Sequence, residues 1–365
     1  MTPSTAPSPK MAEIPGHKVV DEHAIRAKLT PWFHRQLQAD EVEIAGVDVP
    51  RGQGFSSETW LLDVVWTEEG DDHRQGFVAK TRPTGDTIFP TYDLASQFHC
   101  MRLVREHSEV PAAPVRWLEE DPGVVGRPFY VMDRVEGRVP PDNLPYTMEG
   151  WILDDLQPAE RRQLVERSLD VLAGLHRLDA EQCGFGFLDR PRHGPTGVAQ
   201  QLGEWEAYLR WVMGDRVHEV GEAALARLRA TLPQRPPPTG LSWGDSRIGN
   251  IIFDRTEPVA VLDWEMAALG PPEVDVGWFL YMHRFFTAAL GVADPEGWPS
   301  EADQLAHYEA QLGRSLDDLD WYLLFGGFRY GMIMVRIIQI QEAAGIDAGW
   351  TEDDNLAVAH LATML

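Results

Sequence analysis

The chain is short of several things, and each shortage narrows the reading. Two cysteines in 365 residues, Cys100 and Cys183, give no disulfide framework and suit a reducing compartment, the cytoplasm. No run reaches the roughly 18 apolar residues that cross a bilayer, so no membrane is expected. The opening MTPSTAPSPK has no apolar core of the kind a secretory signal needs, and residues 1–20 read as a disordered tail. Positive charge is scarce: 32 basic against 57 acidic residues leave a formal net charge of −25. That disfavours a nucleic-acid partner, which calls for a basic surface. Strong acidity keeps a protein soluble and can steer cations toward a cleft; solubility is the favoured of these two readings.

Lysine is the scarcest cation. Lys10, Lys18 and Lys28 lie near the start, and Lys80 is the only one after them. In a chain that otherwise uses arginine, a lone lysine marks a position that needs a compact ammonium charge. Hydrophobic residues make up 44% of the chain, which excludes wholesale disorder. The length suits two packed lobes.

The pattern of side chains divides the chain the same way. Residues 21–38 read as short helical pieces. EVEIAGVDV, ETWLLDVVW and QGFVAK, between residues 41 and 80, alternate like strands. Residues 92–107 carry Leu94, Phe98 and Met101 at helical spacing. RPFYVMDRV at 127–135 is a further strand, stopped by Gly137 and the Pro140-Pro141 pair. A helix opens near Pro158 and another covers 203–230; PQRPPPTG is a stiff connector. NIIF and VAVLDW are two short strands, and helices follow from 273. The fold class is α+β in two lobes: a β-rich N-lobe over residues 21–135 and a mainly helical C-lobe over 136–365.

The segment LSWGDSRIGNIIFDRTEPVAVLDWE, residues 241–265, carries the strongest chemistry. Asp245 precedes Asn250 by five residues, and a strand, turn and strand then deliver Asp263. Phosphoryl transfer needs this set: a carboxylate to take the proton of the attacking hydroxyl, and an Asn oxygen and a second carboxylate to hold Mg²⁺ on the phosphates. Taken singly these are ordinary turn and strand-end residues; their order and spacing carry the argument.

The segment resembles the active-site block of the aminoglycoside phosphotransferase and choline kinase-like family, which has a protein-kinase-like two-lobed fold. The family form is HGDxxxxN followed by a D-W pair. The resemblance runs over roughly residues 40–290. It implies a transferase that uses ATP, or GTP, with Mg²⁺, Asp245 as catalytic base and Asn250 and Asp263 as metal ligands. GQGFSSETWLL at 52–62 resembles the family's nucleotide loop, with Gly52 and Gly54 admitting phosphates to the backbone and Ser56 and Ser57 donating hydrogen bonds. FVAK puts Lys80 where the family's phosphate-gripping lysine stands. RPFYVMDRVEG resembles the hinge strand, where the main chain of Asp133, Arg134 and Val135 meets the nucleobase. Asp275, in GPPEVDVGWFL, resembles the buried carboxylate that braces the catalytic loop. His176, in LAGLHRLD, reads as structural.

Two residues depart from the family pattern. Trp243 stands where His precedes Gly-Asp, which removes a polar support of the loop. Gln97 stands where a Glu pairs with the lysine, which leaves Lys80 a neutral and weaker partner; Asp93 lies one turn earlier. Trp151, Trp205, Tyr208, Trp211, Trp278, Tyr281, His283 and Arg284 could line an acceptor pocket, though core packing or helix–helix contacts explain most of them better.

The resemblance thus implies a small-molecule kinase, a monomer or homodimer, that phosphorylates a hydroxyl acceptor. Family acceptors include aminoglycosides, macrolides, amino alcohols, homoserine and hydroxyacyl thioesters. The alternative, motivated by Trp243 and Gln97, is a nucleotide-binding pseudokinase or scaffold without turnover. A protein kinase is less suitable, because Asp263 is followed almost directly by Gly270-Pro271-Pro272 and no activation segment ends in Ala-Pro-Glu.

Overall fold

A computed structural model describes residues 22–49, 58–83, 85–142, 144–235 and 237–365. Helix α1 (Glu22–Leu37) is continuous, with Pro31 inside it, where the sequence suggested separate pieces. Strands β1 (Glu41–Asp48), β2 (Glu58–Glu68) and β3 (Asp71–Thr81) are followed by α2 (Leu94–His107), β4 (Val115–Glu119) and β5 (Phe129–Asp133). The five strands form one antiparallel sheet in the order β1-β2-β3-β5-β4. Strand β4 went unread in the sequence because it is a short edge strand whose residues are mostly half-buried, and such a strand carries little alternation.

The sheet separates two apolar layers, and the period of two decides which residue faces which. Phe77, Ala79, Phe129 and Val131 face α1, against Trp32 and Phe33. Val78, Tyr130 and Met132 face the other way, toward Met101 and Val104 of α2. Lys80 shares the face of Val78 and sits opposite Tyr130 in the β3–β5 register. The alternation therefore aims the lysine away from the α1 layer and toward the helical lobe.

The helical lobe contains α3 (Trp151–Asp154), α4 (Pro158–His176), α5 (Val198–Met213), α6 (Glu219–Ala230), α7 (Pro272–Phe286), α8 (Glu301–Leu312), α9 (Leu319–Ala343) and α10 (Leu356–Thr363). The single helix expected over 203–230 is two, because α5 ends at Gly214 in a positive-φ conformation that a continuing helix does not adopt. Helix α9 is long and apolar enough to cross a bilayer by length and composition, but 72% of its apolar window is buried inside the molecule; it is the central helix of this lobe. Four short strands lie between α6 and α7: β6 (Gly240–Ser242), β7 (Ile251–Asp254), β8 (Glu257–Val261) and β9 (Ala268–Gly270), paired as β6-β9 and β7-β8.

The β7–β8 hairpin is tied to the chain that joins the lobes. Arg138 and Phe253 exchange backbone hydrogen bonds of 2.9 Å in both directions, and the Val261 amide donates to the Pro111 carbonyl at 2.8 Å. Gly137 makes this approach possible, since a β-carbon there would lie 2.5 Å from Ile252 Cγ2.

Candidate active site

Asp245 lies in the loop between β6 and β7, and three groups hold its carboxylate. The Trp278 indole N–H donates to Oδ1 at 2.8 Å, the Asn250 amide donates to Oδ2 at 2.6 Å, and Arg247 Nε reaches both oxygens at 3.1 and 3.2 Å. Arg247 also pairs with Asp142. The Asp245 side chain is 15% exposed, so it is fixed in place yet open to a reactant.

The loop is braced from below by Asp275, in the first turn of α7. Its buried carboxylate accepts from Ser242 Oγ at 2.9 Å, from the amides of Trp243 at 2.7 Å and Gly244 at 2.8 Å, and lies 2.9 Å from His176 Nε2. The other His176 nitrogen is 2.6 Å from the Tyr308 hydroxyl. Burial alone would push Asp275 up; the His176 hydrogen bond and charge, and then the Gly244 and Trp243 amides, outweigh it and hold the carboxylate below its usual range. Gly244 permits the arrangement. It has φ +90°, and a β-carbon there would stand 2.1 Å from the Met266 carbonyl oxygen.

Trp243, where the family form has His, supports the loop through its own indole. It is fully buried, and its indole N–H donates to the Leu262 carbonyl at 2.8 Å. The Leu262 amide in turn donates to the Asn250 carbonyl at 2.8 Å. The loop bearing Asp245, Asn250 just before β7 and Leu262 just after β8 are thus stitched together next to Asp263.

Asp263 has a positive φ of +53°, uncommon for a residue with a side chain. Its carboxylate forms an ion pair with Lys80, which joins the sheet lobe to the helical lobe; the two side chains are 29% and 13% exposed. Burial would lower the Lys80 pKa, but the Asp263 carboxylate outweighs it and the net direction is upward. For Asp263 burial acts upward, and Lys80, then Arg247, outweigh it and lower the pKa.

The remaining sequence candidates fall in three groups. Gly52, Gly54, Ser56 and Ser57 lie outside the described residues. Gln97 does not meet Lys80 as expected: it is buried and accepts from the Tyr130 hydroxyl at 3.3 Å, so Lys80 draws its orientation from Asp263. Asp93 caps α2 and accepts from Ser96. At the hinge, the Asp133 amide donates to the Pro114 carbonyl at 2.8 Å and the Arg134 amide to the Gly76 carbonyl at 3.0 Å. Both donors are therefore used inside the sheet lobe, and Val135 is the one whose main chain comes after the last of these bonds. The Asp133 carboxylate is gripped by Arg116, with two contacts of 2.7 Å.

Sequence reasoning left out Arg247 and Asp142, and read Trp278 as packing or acceptor lining; all three hold Asp245 directly or at one remove. Arg247 lies inside the strongest motif and was legible there; Asp142 and Trp278 are 105 and 33 residues away from their partners, with nothing local to mark them.

The donor set suits a hard cation. Asn250 spends its amide nitrogen on Asp245, leaving its oxygen, and Asp263 adds a carboxylate. No cluster of three or more His, Cys, Asp or Glu side chains that could hold a metal occurs among the described residues. Two oxygen ligands without a closed cage fit Mg²⁺, which keeps water and phosphate oxygens in its other positions.

Comparison with known proteins bears on the fold and the family. A probable acyl-CoA dehydrogenase of Arabidopsis thaliana, IBR3, is 26% identical over 308 residues, 78% of this chain. The chain spans 35% of the length of that relative. Among solved structures, a putative aminoglycoside phosphotransferase of Ralstonia eutropha JMP134 superposes with a TM-score of 0.66 at 23% identity, over 93% of this chain and 95% of its own. A thermostable mutant of aminoglycoside phosphotransferase APH(4)-Ia, in ternary complex with AMP-PNP and hygromycin B, gives a TM-score of 0.54 at 15% identity, over 93% and 97%. These likenesses carry the two-lobed, protein-kinase-like fold. The model of the phosphotransferase enzyme family matches residues 49–321, and the chain belongs to that family.

Proposed function

We propose that the chain transfers the γ-phosphoryl group of ATP or GTP to a hydroxyl of a small-molecule acceptor. The observation that carries this reading is the convergence of Asp245, Asn250 and the Lys80–Asp263 pair, where both lobes meet. Asp245 accepts the proton of the attacking hydroxyl while the acceptor oxygen bonds to phosphorus and the nucleoside diphosphate leaves. The three hydrogen-bonding groups on its carboxylate fix the direction in which it takes that proton. Lys80 offers an ammonium to the nucleotide phosphates. Asn250 and Asp263 would hold Mg²⁺, which when bound neutralises charge on the phosphates.

Two observations bear on the acceptor. The plant relative is named for acyl-CoA chemistry, which supports a hydroxyacyl thioester among the acceptors open to the family. A recess beside Arg247 is lined by Tyr146, Ile248, Phe279, Met282, Phe286 and Trp298, with His283 and, among the described residues, no carboxylate. An apolar wall suits the apolar part of an acceptor better than a polycation.

The test is nucleoside diphosphate release from wild type and Asp245→Asn with Mg²⁺ and a panel of hydroxyacyl-CoA, amino alcohols, macrolides and aminoglycosides. Turnover is expected first with the thioesters, and kcat in the variant falls about 10²–10⁴-fold with nucleotide binding kept. Clear Mg-nucleotide binding without turnover on any acceptor would instead make the chain a nucleotide-binding scaffold. A wild-type rate in Asp245→Asn would remove that residue from its role.

A further inference from the structure

One buried charge takes no part in the proposed transfer. Arg329, in α9, is 1% exposed. Its guanidinium makes one hydrogen bond, from Nη2 to the Gly244 carbonyl at 2.6 Å. Nε and Nη1 have no hydrogen-bond partner, and no carboxylate pairs with the group, among the described residues. Aromatic rings cover it instead: its central carbon lies 4.4 Å from the Trp278 ring centroid, 5.0 Å from that of Trp205 and 5.5 Å from that of Phe325.

Such a site is unfavourable for a cation. Burial pushes Arg329 down to about 10, against the opposing charges of Asp275, Asp245 and Glu204. An apolar side chain of similar volume would fill the space without that desolvation. The contacts of Arg329 nevertheless converge on one residue. The carbonyl it holds belongs to the peptide that leads into Asp245, and the indole it stacks on donates to Asp245 Oδ1 at 2.8 Å.

We propose that Arg329 is a positioning residue for Asp245, fixing its backbone through the Gly244 carbonyl and its carboxylate through Trp278. The inference rests on Asp245 being the base of the proposed transfer. Arg247 and Asn250 hold the same carboxylate from other sides. Loss of Arg329 therefore displaces the base rather than freeing it, and a displacement of about 1 Å costs about 10²-fold in rate.

The experiment compares Arg329→Met, Arg329→Lys, Trp278→Phe and the double variant Arg329→Met/Trp278→Phe. Arg329→Met is expected to lower kcat about 10²-fold, with KM for the nucleotide changed less than about twofold. Arg329→Lys, which keeps the charge and can still reach the carbonyl, recovers part of the loss. Because both residues act on one carboxylate, the double variant is no worse than Arg329→Met alone within about threefold. Amide hydrogen exchange over residues 242–250 quickens about tenfold in Arg329→Met, with the rest of the helical lobe unchanged. Exchange needs no turnover, so a wild type that phosphorylates nothing would end the functional reading, while the exchange pattern still judges the positioning. Should Arg329→Met not fold, Arg329→Lys against Trp278→Phe makes the same comparison. An unchanged kcat, losses that simply multiply in the double variant, or faster exchange spread evenly over the helical lobe would each overturn the proposal.

Discussion

Gly244 and Asp275 show how much of the site depends on single side chains, or on the lack of one. At φ +90° and 2.1 Å from the Met266 carbonyl oxygen, position 244 admits no β-carbon without moving the peptide that leads to Asp245. Gly244→Ala is expected to cost more than the roughly 1 kcal/mol of left-handed strain, because the clash adds to it. Thermal unfolding and turnover together check this: both fall, and a variant with wild-type Tm and rate would mean that the loop adjusts freely. Asp275 gives a pH signature. Its folded-state pKa is lowered, so its contribution to stability is present at neutral pH and is lost as pH falls through the usual aspartate range, near 4, toward the folded value. Asp275→Asn should therefore lower Tm at neutral pH and flatten its decline between about pH 5 and pH 3. A decline as steep as that of wild type would assign the acid sensitivity to other carboxylates. Asp263 has the same sign. Lys80, raised, contributes below its ordinary 10.5 and loses that contribution only as pH rises through its higher folded value.

At the scale of elements, the site is made by the loop after β6 and by the β7–β8 hairpin, and these are joined by the Trp243 indole. Replacing Trp243 by Phe keeps most of the ring volume but removes the N–H that serves the Leu262 carbonyl. An unsatisfied carbonyl that is only partly buried costs about 1 kcal/mol, the low end of the range for a buried one. Chemical denaturation should show a loss of that order, with nucleotide affinity reduced because Asp263 comes directly after Leu262. Full stability in Trp243→Phe would mean the bond contributes nothing, and that the ring alone holds the hairpin. At this position the large ring also reaches Trp264, with ring centroids 6.1 Å apart.

Across the whole molecule, contacts besides the chain itself bind the lobes, the Val261–Pro111 hydrogen bond among them. Lys80 pairs with Asp263 at the cleft. Farther out, the segment before α2 lies over the helical lobe: Ile88 packs on Ile337 and Ile340, its carbonyl accepts from the Tyr208 hydroxyl at 2.9 Å, and Arg336 donates to the Thr87 carbonyl at 2.8 Å. A ligand seated between the lobes adds to these contacts. Saturating Mg-nucleotide, at about 100 times its Kd, should stabilise the fold by about 2.7 kcal/mol and raise Tm by a few degrees. Chelating the metal should remove most of the shift. In Asp263→Ala the residual nucleotide shift should no longer respond to Mg²⁺; an undiminished response would refute Asp263 as a ligand.

The order of elements, the two-lobed division and the run from Asp245 to Asp263 were determined by the sequence alone, because alternation, turn residues and close spacing are local properties that survive in a linear chain. The break between α5 and α6, and the edge strand β4, were not legible, since one glycine and a short, mostly half-buried strand carry too weak a period. The partners of the motif were decided only by tertiary structure. Lys80 stands 183 residues from Asp263, Asp142 is 105 residues from Arg247, and Arg329 is 85 residues from Gly244. A carboxylate's neighbours, and so its charge state and aim, depend on distances in space that no spacing along the chain encodes.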